Sequence, residues 1–256
     1  GLEVAPTDLA AGAATIPADA VDVKLVKCWY QAGRGITDLR NRQLTPELLL
    51  NDADLVRVDE EAQQNYLRST AEDGTQTWLL CSGPTSENLE GVRPIDAPTL
   101  QPIDLPALRL QQYWVTVRVP ADATAGEYSG ALRLSTADGG AVELPLTLTV
   151  HDFDLAPAPL TYSVYYRARL NAANAPGIDS ESRSEEQYLA EMRDLAAHGC
   201  LYPTIYQKYD ETLLPRALEL RAEAGLPTDQ LFTLGISTGA PQTEAEIEAL
   251  REGVRK

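Results

Sequence analysis

At 256 residues the chain is long enough for one large domain or two modest ones, each with a real core. A formal net charge of −17 repels polyanions, which excludes nucleic acid and anionic membrane surfaces as partners and fits a soluble protein. No apolar run approaches the ~18–20 residues of a membrane span. The two histidines, His151 and His198, lie far apart with no Cys or carboxylate at ligand spacing, so no zinc or copper site and no cofactor is expected.

Residues 1–157 read as β. The chain starts at Gly1 without a signal peptide, as a processed or trimmed end would. Val21 to Tyr30 is the first strand candidate. Thr45-Pro46-Glu47 predicts a helical turn, with Thr as N-cap and Pro at the first helical position. Short strands are predicted at 55–58, 65–68 and 76–81, then a Pro-, Asp- and Gly-rich loop from Ser82 to Pro106. Cys28 and Cys81, both in apolar runs, are placed either to pair in an oxidising compartment or to stay as buried thiols. Period-two alternation is clearest at Tyr113–Val119, Ala131–Ser135 and Val142–Val150. Asp138-Gly139-Gly140 suits a tight hairpin between the last two, and Pro145 marks an edge or a bulge. Many short strands with turn signals predict a β-sandwich, with Trp29, Trp78 and Trp114 in its core.

Leu155 to Pro159 is a stiff, Pro-rich joint, and the pattern then changes. Strands are predicted at Thr161–Arg169, Leu201–Gln207 and Leu231–Ser237, alternating with helices. Ser184-Glu-Glu-Gln187 and Thr243-Glu-Ala-Glu246 are capping boxes for the first and third helices; the second runs from about Thr212 to Ala224. The order β-α-β-α-β-α predicts a parallel sheet, and no GxGxxG supports a dinucleotide site. Residues 158–256 thus read as the first three βα units of a (β/α)8 TIM-type barrel, which needs eight units and ~250 residues. The expectation is that this chain is the N-terminal part of a longer protein.

LTPELLL (44–50), WVTVRVPADATAGEYSGALRL (114–134), LPLTLTVHDFDL (144–155), YYRARL (165–170), EMRDLAAHG (191–199) and YPTIYQ (202–207) occur in an order that resembles glycoside hydrolase family 123 and the uncharacterised domain family overlapping it. The ordered combination carries the resemblance, since VPxxxxxGxYxG also occurs in other sandwich modules attached to enzymes. The resemblance implies a β-sandwich followed by a (β/α)8 barrel, secretion to an extracellular or periplasmic location, and exo-acting β-N-acetylgalactosaminidase chemistry. In the implied retaining mechanism the substrate's own acetamido oxygen attacks the anomeric carbon. An adjacent Asp-Glu pair orients the acetamide and protonates the leaving oxygen.

That pair is expected after the fourth barrel strand, beyond Lys256, so no catalytic residue is assigned within the chain and the chain alone is expected to be inactive. Asp59-Glu60 falls in the sandwich. Asp210-Glu211 follows the second barrel strand, on the face where barrel sites assemble, but reads first as an acidic lead-in to the helix starting near Thr212. Tyr165, Tyr166, Arg167, Arg169, Tyr206, Gln207, Ser237 and Thr238 sit at or near strand ends on the face where barrel sites assemble. The expected substrate-binding residues are Arg167 and Gln207 as polar contacts and Tyr206 for stacking, with an N-acetylhexosamine-containing glycan as partner. The competing expectation is a non-catalytic module that binds glycans or braces an assembly.

Overall fold

The computed structural model describes residues 1–31, 42–71, 73–81, 92–156, 159–178, 181–207, 211–233 and 243–255. The chain divides into two compact units: Gly1–Glu87 with Pro94–Leu155, and Asn88–Arg93 with Ala156–Lys256. Strand outweighs helix, 37% to 18%, and among the described residues every α-helix lies after Ser184, so the described part of the first unit is built from β-structure.

Its strands are β1 (Leu2–Pro6), β2 (Leu9–Ala11), β3 (Ala14–Ile16), β4 (Val21–Gln31), β5 (Gln43–Leu50), β6 (Val56–Asp59), β7 (Gln64–Thr70), β8 (Gln76–Leu80), β9 (Tyr113–Val117), β10 (Gly126–Thr136) and β11 (Ala141–Val150). All their pairings are antiparallel. One sheet joins β1, β2, β3, β10 and β11; the others are β5-β4-β9 and β6-β7-β8. Leu9, Ile16 and Tyr128 from the first sheet meet Val21 and Val23 of β4 in one buried cluster. Val115 and Val117 of β9 and Leu146, Leu148 and Val150 of β11 pack around it, as their alternation predicts.

The VPxxxxxGxYxG stretch has a packing explanation. Tyr128 is 1% exposed, and its hydroxyl donates to the Thr124 carbonyl at 2.8 Å, so the buried ring keeps its polar tip satisfied. Two residues on, β10 passes β2 so closely that a Cβ on Gly130 would lie 2.5 Å from the Asp8 carbonyl oxygen and 2.6 Å from Leu9 Cδ2. The β10–β11 hairpin turns at Asp138 to Gly140, with Gly139 at φ +88. Among the described residues β11 pairs only with β10, so Pro145 stands on an edge, where its missing N–H costs no ladder bond.

Two expectations fail here. Thr45-Pro46-Glu47 does not start a helix; it lies inside strand β5. The β4–β5 register steps there, Lys27 facing Leu48 and Cys28 facing Pro46, so Glu47 is the extra residue of a bulge. The bulge accommodates the proline, and the Trp29 indole N–H fixes the Glu47 carboxylate at 2.6 Å. The tryptophans are not core either: Trp114 is 54% exposed, Trp78 is 38% exposed, and Trp29 is half-buried. A period-two pattern gives each strand two faces, and on β9 Tyr113, Val115 and Val117 took the inner one and left Trp114 outside. Cys28, Cys81 and Cys200 are free thiols, and burial raises the Cys81 pKa.

The second unit holds β12 (Arg169–Leu170) paired in parallel with β13 (Ser182–Arg183), then α1 (Glu185–Ala197), α2 (Leu213–Glu223) and α3 (Glu244–Arg255). Both capping boxes form: Ser184 with Gln187 opens α1, and Thr243 with Glu246 opens α3. Leu170, Tyr188, Met192, Ala217, Leu220 and Leu226 make its core. The stretches predicted as barrel strands form no regular ladder over the described residues. Two backbone bonds, Tyr202 N–H to Tyr162 O at 3.3 Å and Thr204 N–H to Val164 O at 3.0 Å, run in the same direction along both stretches. A single parallel bridge joins Ile205 to Thr233. Residues 234–237 of the third predicted strand lie outside the described residues.

Two substitutions test this packing. Asn65, 3% exposed on β7, accepts from the Tyr30 N–H and donates to the Tyr30 carbonyl, each at 2.8 Å, tying β7 to β4. Asn65→Ala leaves both backbone groups unpaired and is expected to destabilise by about 2–4 kcal/mol in urea unfolding. Gly130→Ala, which must push β2 from β10, is expected to cost about 1–3 kcal/mol by the same measurement.

Candidate functional site

In 165–170 the burial alternates. Tyr166, Ala168 and Leu170 turn inward, Tyr166 and Leu170 onto the helix-lined core, while Tyr165, Arg167 and Arg169 turn the other way. The stretch 202–207 repeats the pattern: Pro203, Ile205 and Gln207 are buried, and Tyr202, Thr204 and Tyr206 are half-buried. Thr204 clamps the two stretches together. Its hydroxyl accepts from the Tyr166 N–H at 2.9 Å and donates to the Tyr166 carbonyl at 3.0 Å.

The clamp brings the polar ends of the two stretches into one cluster. The Tyr165 and Tyr206 rings meet edge to face at 6.3 Å between centroids, and the Arg169 guanidinium lies 5.8 Å over the Tyr206 ring. Arg167 ion-pairs with one carboxylate oxygen of Glu181; Arg169 reaches the other at 3.1 Å. Hydrogen bonding to Glu181 raises the Arg167 pKa further above its usual value, so this guanidinium is a permanent cation. Arg167 stands 50% exposed, and Tyr165 stands 60% exposed. The Tyr165 ring and the Arg167 guanidinium are therefore both accessible from solvent.

Of the three residues expected to bind substrate, Arg167 and Tyr206 share this cluster. Gln207 is 4% exposed and points into the core, where its amide oxygen accepts the Leu170 N–H at 2.8 Å. It positions the strand end that carries Arg169. Tyr166, named with its neighbours from sequence, also belongs to the inner side. Its hydroxyl donates to Glu191 at 2.5 Å, and Glu191 accepts from Arg183 Nε at 2.6 Å. Burial, and then the Glu191 carboxylate, push the Tyr166 phenol far above its usual pKa, so it stays a neutral donor.

Glu181 was not anticipated. The available signal was a carboxylate in the short connection 171–183, facing two arginines at alternate positions of the preceding strand. Arg221 was not anticipated either. It is fully buried on α2, donates to the Pro203 carbonyl at 3.2 Å, and pairs with no carboxylate among the described residues. Glu211 is exposed, while Asp210, Ser237 and Thr238 lie outside the described residues. Asp59 caps a turn by accepting from the Ala62 N–H at 2.8 Å.

The first unit carries a separate cleft of about 910 Å³, lined by Leu44, Pro46, Arg57, Glu60, Trp78 and Leu110 among others. Arg57 lies 4.8 Å from the Tyr66 ring centroid and 5.0 Å from that of Trp78. Among the described residues no group of three or more His, Cys, Asp and Glu is arranged to hold a metal ion.

Compared with known proteins, the chain matches no protein-family model and no curated protein.

The division of labour between Gln207 and Arg167 is testable. Gln207→Ala leaves the Leu170 N–H buried and unpaired and is expected to destabilise the second unit by about 1–3 kcal/mol. Arg167→Ala, at a half-exposed surface ion pair, is expected to leave the urea unfolding midpoint essentially unchanged.

Proposed function

We propose that this chain is the N-terminal portion of a glycoside hydrolase, exo-acting on N-acetylhexosaminides by a substrate-assisted retaining mechanism. Residues 1–157 form its β-sandwich and 158–256 the first three βα units of a (β/α)8 barrel. The catalytic Asp-Glu pair of this mechanism lies in chain following Lys256, and the protein works in an extracellular or periplasmic setting. Among the described residues, no helix is long and apolar enough to cross a membrane.

The observation that carries this reading is the cluster of Tyr165, Arg167, Arg169 and Tyr206 on one face at the ends of two adjoining stretches. Parallel alignment of those stretches puts both C-terminal ends on the same side, which is where βα barrels assemble their sites. Sugars are recognised by aromatic faces for their C–H surfaces and by planar polar groups for their hydroxyls. In the complete site these residues bind and orient the sugar. The Asp-Glu pair holds the acetamido group and moves the proton.

The second reading, a glycan-binding module without catalysis, rests on the first-unit cleft, where Trp78 and Arg57 offer a comparable pairing of ring and guanidinium. Titrating the ¹⁵N-labelled chain with N-acetylgalactosamine distinguishes the two. The shifts are expected at Tyr165, Arg167 and Tyr206, and Tyr206→Ala is expected to weaken binding about three- to tenfold. Shifts confined to Arg57, Tyr66 and Trp78 would favour the binding module. The chain by itself is expected to release no nitrophenol from a nitrophenyl N-acetyl-β-hexosaminide.

A further inference from the structure

We infer that the ligand at the Tyr165–Tyr206 cluster is an anionic saccharide, a sugar bearing a carboxylate or a sulfate ester; this rests on the cluster being the sugar site proposed above. Arg167 and Arg169 converge on the single carboxylate of Glu181, one on each oxygen. Two cations on one anion leave one positive charge over. Among the described residues neither guanidinium forms an ion pair with a second carboxylate. In a protein of net charge −17, a surplus cation at a candidate site is the exception.

Geometry adds to this. Glu181 is 19% exposed, whereas the Arg167 and Arg169 side chains are 50% and 35% exposed. Each guanidinium presents five N–H donors in a fixed fork, and each spends one nitrogen on Glu181. Both guanidiniums are partly exposed, Arg169 lies over the Tyr206 ring, and Tyr165 packs edge to face with that ring. A neutral sugar hydroxyl uses one such donor. A carboxylate or sulfate uses two in parallel and also neutralises the leftover charge. The rings meanwhile supply the apolar contact that a bare inorganic anion does not need.

The test titrates the full chain with N-acetylgalactosamine, N-acetylgalactosamine 6-sulfate, glucuronic acid and inorganic sulfate, at low and at high salt. At least one anionic sugar is expected to bind about tenfold more tightly than the neutral one, matching the difference between charged and neutral hydrogen bonds. That advantage is expected to shrink at high salt, because the site is partly exposed, and to vanish in Arg167→Gln and Arg169→Gln. Which anionic sugar binds tells carboxylate from sulfate. Equal binding of neutral and anionic sugars would overturn the inference and leave the sugar site standing. Inorganic sulfate binding as well as the sulfated sugar would overturn the saccharide part. No response at Tyr206 to any sugar would remove the sugar site itself. Should Arg169→Gln unfold, the salt dependence and Arg167→Gln still decide.

Discussion

An extended strand has only two faces, and in residues 165–170 the hydrophobic core takes one of them. Tyr166 and Leu170 belong to the cluster of Tyr188, Met192 and Leu220, and Ala168 is buried on the same side. Because the side-chain period is two, that commitment fixes Tyr165, Arg167 and Arg169 on the opposite side with no further instruction. A one-residue slip would bury both arginines and expose the apolar set. The register is held at two points by the neighbouring stretch, by the Thr204 hydroxyl on the Tyr166 backbone and by the Gln207 amide on Leu170. The cluster's geometry is thus a by-product of packing on its reverse side.

The electrostatics follow from the same arrangement. Alternate positions on one strand side place Arg167 and Arg169 within reach of a common partner. Arg169 pairs with Ser182 in the short β12–β13 ladder, so Glu181 arrives alongside. Its backbone carbonyl also accepts the Arg169 N–H at 2.7 Å. One residue therefore anchors the ladder through its main chain and gathers both guanidiniums through its side chain. Arg221 is the counter-example within the same unit, a buried cation whose donors reach the Pro203 carbonyl, the Met192 sulfur and the Tyr188 side chain, with no carboxylate among the described residues. Such a charge works against stability and is retained at a cost that packing elsewhere in the unit must offset.

Much of this was legible in the sequence wherever a local rule operates. Ser184 and Thr243 announced their helices because a capping box is satisfied within four residues. The valines and leucines of β9 and β11 announced their inner faces by alternation. Local rules failed where a distant partner decided. Pro46 looks like a helix start until β4 supplies the bulge that accommodates it. β1, β2 and β3 are too short and too rich in alanine to show a pattern, although Leu9 and Ile16 prove to be fully buried. Within the cluster, Arg167 and Tyr206 could be named from their positions at strand ends. Glu181 sits in a connection with no periodicity, and Gln207 falls on the inner side of the same alternation that turns Tyr206 outward, where its amide finds the Leu170 N–H.

Pro145 has a consequence for how the molecule behaves among copies of itself. β11 is ten residues long and, among the described residues, has a partner on one side only, with Val142 62% exposed and Leu144 49% exposed. A bare apolar edge of that length is a template onto which another chain can add a strand, and then another. The proline divides it into 141–144 and 146–150, each shorter than the ~6–7 residues that a stacked cross-β segment requires. A nucleus for fibrillar growth is thereby broken at its midpoint by one missing hydrogen.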